Sequence, residues 1–385
     1  MASFGYLVYM IRASEPGRPM ALQQLDSIAG EGLPPADLLT VLQQTIQDYG
    51  PGYHSIADRS EGFRVREVRL EGRSLWLKIN RGPEGNPGET YNRETEESVD
   101  TDERISLLSG LRAGFYIPRG SYFGLLFVER VGGRHLKDLL DTFFVREVRD
   151  HLATAIRLES FAELQDWESV LARQQVFRVS EMLHSRTSGD DPSTPDDYII
   201  RVAAEGSGLR RFSDAIRGLI EEKLRRREHE FDLVSEIAPL ERRRSTVRDV
   251  HTRTGATVRR RVRAGQDAFT IQDEAEYQRI LAEIKATRQS PARGDLNDEL
   301  AVVTPVDRNR FESDRFEVAL GEDRPERTFV IESDAVPQFV YELDGRVVDR
   351  PLQQTWDAHA EAILRNRGVT LPRTWLMNVA PPPPS

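Results

Sequence analysis

Residues 122–128 read YFGLLFV, seven positions without a charge. A run this apolar and this short fits a strand buried on both faces, because a helix covered all round needs a longer stretch. It commits the chain to a layered fold, with a sheet at the centre and packing above and below this strand. The flanking sequence supplies the layers. Residues 4–12 (FGYLVYMIR) are rich in aromatic and β-branched types and read as another strand. Pro35, Ala36 and Asp37 open a helix with an apolar stripe of Leu38, Leu39, Val41, Leu42, Thr45 and Ile46. Tyr49, Gly50, Pro51 and Gly52 stop it.

Residues 63–71 and 74–80 predict a hairpin that turns at Gly72 and Arg73. In its second strand Leu75, Leu77 and Ile79 share a face, with Trp76, Lys78 and Asn80 opposite. The first strand loses phase: Phe63 and Val65 have one parity, Val68 and Leu70 the other. A bulge near Arg66 and Glu67 restores a single apolar face.

Further elements follow from the same periodicities. A short helix closes at residues 107–110 and a strand covers 115–118. After the YFGLLFV strand, Leu136, Leu139, Leu140 and Phe143 mark a helix. Strands are expected at 153–158, 175–183 and 198–203, and a helix at 161–172. Leu209, Phe212, Ile216, Leu219, Ile220 and Leu224 give a clear helical period, as do Tyr277, Ile280, Leu281 and Ile284 within 273–287. Strands at 316–320, 329–332 and 339–343 read as a meander, and Asp344 with Gly345 turns the chain into 346–348. Trp356, Ala360, Ile363 and Leu364 mark a last helix. Residues 82–103 and 185–197 are acidic and rich in Gly or Pro, and read as long loops.

The expected class is therefore α+β. A mixed-sheet domain spans residues 1–197, and a helix, arginine-rich hairpin and helix form a module over 198–290. A β-meander with a closing helix follows over 291–376, with a sheet shared by the two outer parts left open because nothing in the linkers forces separation, and the Pro-rich tail 377–385 is expected to be disordered. A length of 385 residues suits two or three domains. With no cysteine, disulfides, Cys zinc sites and thiol nucleophiles are excluded. No stretch approaches the roughly 18 apolar residues of a membrane span, and residues 4–12 lack the basic leader of a signal peptide. The expectation is a soluble, cytoplasmic protein with no membrane partner.

The chain has a formal net charge of -10, yet residues 242–263 read RRRSTVRDVHTRTGATVRRRVR, nine arginines against the single Asp249. Lysine is nearly absent; Lys78, Lys137, Lys223 and Lys285 are the only four. Thr and Val around Thr254 and Gly255 predict a hairpin, and alternation puts Arg259, Arg261 and Arg263 on one face of its second strand. Same-face residues lie about 7 Å apart in a strand, a spacing suited to successive phosphates, and guanidinium forks match phosphate oxygens. Arg242, Arg243, Arg244, Arg248 and Arg253 extend the patch. The expected role is a non-catalytic nucleic-acid or other polyanion-binding protein that contacts the DNA or RNA backbone. The alternative is a structural or interaction subunit, in which the arginines pair with the chain's own acidic loops, an acidic protein partner or a homo-oligomer.

Two strand–glycine–helix junctions offer weaker anion sites. Gly132, Gly133, Arg134 and His135 form one; Gly206, Ser207, Gly208, Arg210 and Arg211 form the other. Basic residues in a first helical turn oppose the macrodipole, which a bound anion or internal carboxylates would relieve. Neither junction has a dinucleotide fingerprint or a P-loop. A tight turn is the plain structural reading of each.

Catalytic signatures are missing. A nuclease-like hairpin needs an acid two residues before its lysine, and Trp76 stands there before Lys78. Glu67 and Glu71 on the neighbouring strand are the only substitutes. His54, His135, His151, His184, His229, His251 and His359 have no metal-ligand spacing, and Glu181 with His184 reads as a strand end. No serine elbow or calcium loop is present. No cofactor or metal is expected, and a phosphoryl-handling or nuclease-like enzyme stands as a further alternative.

Overall fold

The computed structural model describes residues 3–28, 34–56, 60–84, 88–91, 98–101, 108–173, 176–185, 197–202, 208–245, 249–251, 257–259, 270–289, 311–320, 327–332 and 338–377. In chain order the elements begin with β1 (Phe4–Glu15), β2 (Arg18–Leu22), α1 (Leu38–Asp48), β3 (Tyr53–Ile56), β4 (Glu61–Glu71) and β5 (Ser74–Pro83). Next come β6 (Gly88–Tyr91), β7 (Ser98–Thr101), β8 (Ser109–Tyr116), β9 (Phe123–Val131) and β10 (Arg134–His135). A helical run follows as α2 (Lys137–Leu139), a π-helical segment (Leu140–Val145) and α3 (Arg146–Leu152). Then come β11 (Ala155–Phe161), α4 (Leu164–Arg173), β12 (Val176–Ser185), β13 (Asp197–Val202) and α5 (Gly208–Ser245). The remainder is β14 (Asp249–His251), β15 (Thr257–Arg259), α6 (Ile271–Gln289), β16 (Phe311–Leu320), β17 (Arg327–Glu332), β18 (Tyr341–Leu343) and α7 (Asp349–Asn366).

The fold therefore combines helices with antiparallel sheet. Two compact units emerge, Met1–Glu159 with Val340–Ser385, and Ser160–Phe339. These bounds differ from the three stretches read from sequence, because the C-terminal segment returns to the N-terminal sheet. Each strand pair with a defined register is antiparallel, where sequence predicted a mixed sheet.

The first unit is built on a 10-stranded sheet with the path β11-β1-β9-β8-β5-β4-β3, to which β2 and β18 add on β1 and β10 on β9. The apolar strand β9 lies between β1 and β8, with Leu7 opposite Val128 and Phe115 opposite Leu126. On one face, Leu38, Leu39, Leu42 and Ile46 of α1 and Phe144, Val148 and Leu152 of the α2–α3 run pack on Leu7, Leu77, Ile79 and Leu126. Each such side chain contributes about 1.5–3 kcal/mol by leaving water. Asp37 caps α1 by accepting a hydrogen bond from Leu39 N at 3.0 Å. The hairpin β4–β5 carries the expected irregularity: Val65 faces Ile79 and Glu67 faces Lys78, so Arg66 is the extra residue. Val68 opposite Leu77 and Leu70 opposite Leu75 regain the apolar face.

The opposite face is covered by α7. Trp356 is fully buried against Trp76 at 5.3 Å, Phe127 at 5.9 Å and Tyr6 at 6.0 Å between ring centroids. Gly114 makes the room: a Cβ there would sit 3.3 Å from Trp356 Cε3 and 3.1 Å from Tyr116 Cε2. Such a glycine in a strand marks a close approach.

Several expectations are corrected. Ser109 and Gly110, expected at the end of a helix, instead open the strand Ser109–Tyr116, hidden in sequence by Gly110, Ala113 and Gly114, and residue 107 lies outside the described residues. Inside the predicted loop 82–103, Gly88–Tyr91 and Ser98–Thr101 pair as a ladder. The meander does not exist as a unit, since β16 and β17 join β12 and β13 while β18 pairs with β1. Residues 346–348 form no strand. The tail from 378 lies outside the described residues.

In the second unit a four-stranded sheet runs β13-β12-β16-β17. Helix α5 continues 38 residues, through Pro239, and so spans about 57 Å at 1.5 Å per residue. Its Phe231, Val234 and Ile237 are buried, as are Tyr277, Ile280 and Ile284 of α6.

Candidate nucleic-acid interface and charged sites

The arginine-rich stretch divides between two elements. Arg242, Arg243 and Arg244 belong to the end of α5, which sequence placed outside that helix. Arg243 pairs with Asp273 at 2.9 Å and Arg244 with Glu274 at 3.2 Å. The Arg244 guanidinium also lies over the Tyr277 ring, 4.5 Å from its centroid. The sequence explains this locally. Thr270 and Asp273 form a reciprocal capping box at the start of α6: Asp273 N donates to Thr270 Oγ1 at 3.1 Å, and Thr270 N donates to Asp273 Oδ2 at 2.7 Å. Acids in the first turn of α6 and bases in the last turn of α5 each suit their helix dipole, and they meet as ion pairs. The Thr270 backbone bond, then its hydroxyl, then Arg243 hold the Asp273 carboxyl below its ordinary range.

Beyond α5 the expected hairpin is present as a short ladder. Asp249 faces Arg259, Val250 faces Val258 and His251 faces Thr257. The lone acid of the stretch thus stands opposite the first arginine of the expected face. Arg248, Arg253, Arg261 and Arg263 lie outside the described residues, and Arg242 and Arg259 are described by backbone alone.

The first glycine junction is a hairpin turn rather than a helix start. Gly132 has φ +60°, and Arg134 and His135 pair back on Val131 and Arg130. A positive φ at the first turn residue is what a II′ hairpin asks of glycine. The helix begins only at Lys137 and carries Asp138 in its first turn, so Arg134 and His135 do not face the helix terminus as expected. Burial pushes the His135 imidazole below its usual range, with Asp138 opposing and Arg81, Arg130 and Lys137 reinforcing. At the second junction Gly208 begins α5, Arg210 and Arg211 lie in its first turn, and Gly206 and Ser207 are outside the described residues.

The nuclease-like alternative meets a plain obstacle. Glu67 faces Lys78 in register, but Glu67 and Glu71 both pair with Arg69, at 2.9 and 2.7 Å. Lys78 is taken by Asp349 at 2.8 Å. Glu181 and His184 fall at positions of opposite parity on β12.

Sequence reading missed the most buried charges among the described residues. Glu129 of β9 accepts from Arg112 N at 3.0 Å and from Arg112 Nε at 2.8 Å, and its other oxygen accepts from Nη2. Arg112 Nη1 reaches Val347 O at 2.6 Å and Asp349 Oδ1 at 3.0 Å. Along α7, Gln353 bonds Arg69 and Glu71, and Asp357 accepts from the Tyr116 hydroxyl at 2.8 Å. Asp349, Gln353 and Asp357 recur every fourth residue and form a polar seam beside the apolar stripe of Leu352, Trp356, Ala360 and Ile363. That periodicity was the available signal. The seam fastens α7 to the sheet through these bonds.

No helix among the described residues is long and apolar enough to cross a membrane. The chain matches no family model, no curated protein and no solved structure.

Proposed function

We propose that the protein is a non-catalytic polyanion-binding protein, and that the arginine hairpin between α5 and α6 contacts the phosphate backbone of DNA or RNA. The observation that carries the reading is the antiparallel ladder within the arginine-rich stretch. Arg259 lies on that ladder, and the alternation of the sequence runs on from it to Arg261 and Arg263, which lie outside the described residues. Arg243 and Arg244, by contrast, are engaged at the base of that hairpin and belong to the scaffold.

The test is duplex binding by fluorescence anisotropy across a salt series. Affinity is expected to fall linearly on a log–log scale, and combined Arg259→Glu, Arg261→Glu and Arg263→Glu reversal is expected to abolish it. Salt-independent binding, or an unaffected triple variant, overturns the reading.

A second reading draws on the Arg243–Asp273 and Arg244–Glu274 pairs: the arginine stretch serves internal or protein–protein pairing. Deleting residues 85–102 separates the two. The polyanion reading expects equal or tighter duplex binding; the pairing reading expects loss of stability or of an oligomer.

A further inference from the structure

The four-stranded sheet of the second unit ends on β13 at one side and β17 at the other. Among the described residues β13 pairs with β12 alone, from Val179 opposite Val202 to His184 opposite Asp197. An edge strand presents a row of backbone donors and acceptors, and proteins usually protect it with charged side chains, proline or a bulge. The β13 sequence DYIIRV has no proline, its pairing with β12 runs without a register break, and its two charges, Asp197 and Arg201, are of opposite sign.

The charge pattern of this edge is self-complementary. Two copies of one strand, related by a two-fold axis normal to the sheet, pair antiparallel, and directly opposite residues share a face. Their numbers must then have the same parity. Placing Ile199 on the axis meets this condition: Asp197 stands opposite Arg201 of the second copy, Tyr198 opposite Ile200, and the reverse pairs repeat these. Opposite-charge pairs and aromatic–β-branched pairs are the favourable cross-strand combinations. The other edge fails the same condition. In β17 (RTFVIE), the parity-allowed registers put Arg327 opposite Ile331 or Glu332 opposite Thr328, and no opposite charges meet.

We infer that β13 is the pairing edge of a two-fold dimer of this chain, joining two four-stranded sheets into one continuous sheet. Such an interface is isologous and closes on itself, so it yields a dimer and not a fibre. The inference does not rest on the arginine reading, and each can fail without the other.

The chain contains no cysteine, so Ile199→Cys introduces a single thiol on the axis. Directly opposite Cα atoms in an antiparallel pair are about 4.5–5.5 Å apart, within disulfide reach. Mild oxidation is expected to give a covalent dimer with Ile199→Cys and none with Tyr198→Cys, whose symmetry mate is displaced along the strand. Sedimentation at low salt should show a dimer that either Asp197→Arg or Arg201→Asp abolishes, since each places like charges opposite one another twice. The double variant restores complementarity and should restore the dimer. A monomer at all concentrations, equal cross-linking at 198 and 199, or single reversals that leave the dimer intact would each overturn the inference. Duplex binding measured on the same variants reports separately on the arginine hairpin.

Discussion

Arg112 and Glu129 face each other across β8 and β9 in a two-pronged ion pair, with only 4% and 3% of their side chains exposed. A pair so buried gains little over apolar residues of equal size, but a lone survivor is costly. Glu129→Gln leaves Arg112 with only the more exposed Asp349 carboxylate and is expected to destabilise the protein by about 2–4 kcal/mol. Arg112→Met with Glu129→Leu should cost clearly less than the two single changes summed. Urea unfolding followed by tryptophan fluorescence measures this, because Trp76 and Trp356 lie on the same side of the sheet. Additive losses would show that the two charges do not act as a pair.

Asp349 gives the protein an acid-sensitive fastening. Burial alone would raise its carboxyl pKa, but the Lys78 hydrogen bond and the Lys78 and Arg112 charges outweigh burial and hold it below the usual range. A depressed acid contributes stability that is present above its unfolded pKa and lost as pH falls through the folded one. The group is partly exposed, so Asp349→Asn should cost about 1 kcal/mol near neutrality. The difference between wild type and variant should close in acid. Asp357, two turns along α7, has the opposite sign: burial raises its pKa, against the Tyr116 hydrogen bond, so acidification relieves a penalty there. Chemical denaturation of Asp349→Asn and Asp357→Asn across pH separates the two groups.

Gly72 and Gly132 both have positive φ, +55° and +60°, but only Gly72 is crowded. A Cβ at Gly72 would lie 2.6 Å from Trp375 O and from Leu376 C, whereas nothing lies within 4 Å at Gly132. Gly132→Ala should cost about 1–2 kcal/mol, the left-handed backbone penalty. Gly72→Ala adds displacement of the C-terminal segment, for roughly 2–4 kcal/mol in all. Equal urea midpoints for the two variants would contradict the close packing of residues 375 and 376 on the hairpin turn.

The first unit's core was largely legible because its signals are local. Alternation placed β5, and the phase break between Val65 and Val68 located the bulge. The capping Asp37 and the stop at Tyr49 bounded α1. What escaped was non-local. Strand β8 looks weak in sequence because Gly114 is small for the sake of Trp356, more than 200 residues later. Arg112 fell in no predicted element, and its partners, Glu129 and Asp349, lie 17 and 237 residues away, out of reach of any local pattern. The arginine stretch was legible as charge, but charge does not report pairing. Helix α5 extends past the last clear apolar period and carries Arg243 and Arg244 into contact with α6.

That division of the arginine stretch gives the last prediction. Arg243 and Arg244 sit in the final turn of α5, opposite the acidic first turn of α6, and Arg244 also covers Tyr277. A guanidinium already engaged by a carboxylate and an aromatic face has little to gain from a phosphate, since it must first give up those contacts. Arg243→Ala with Arg244→Ala should therefore lower the thermal midpoint. It should leave the salt dependence of duplex binding nearly unchanged, because the slope counts only the cations that neutralise phosphates. Reversal at Arg259, Arg261 and Arg263 should do the converse, abolishing duplex binding while the helix pair melts as before. If instead the double alanine variant removes about two units from the slope, the α5 arginines are part of the phosphate-binding face, and their pairs with Asp273 and Glu274 open on binding.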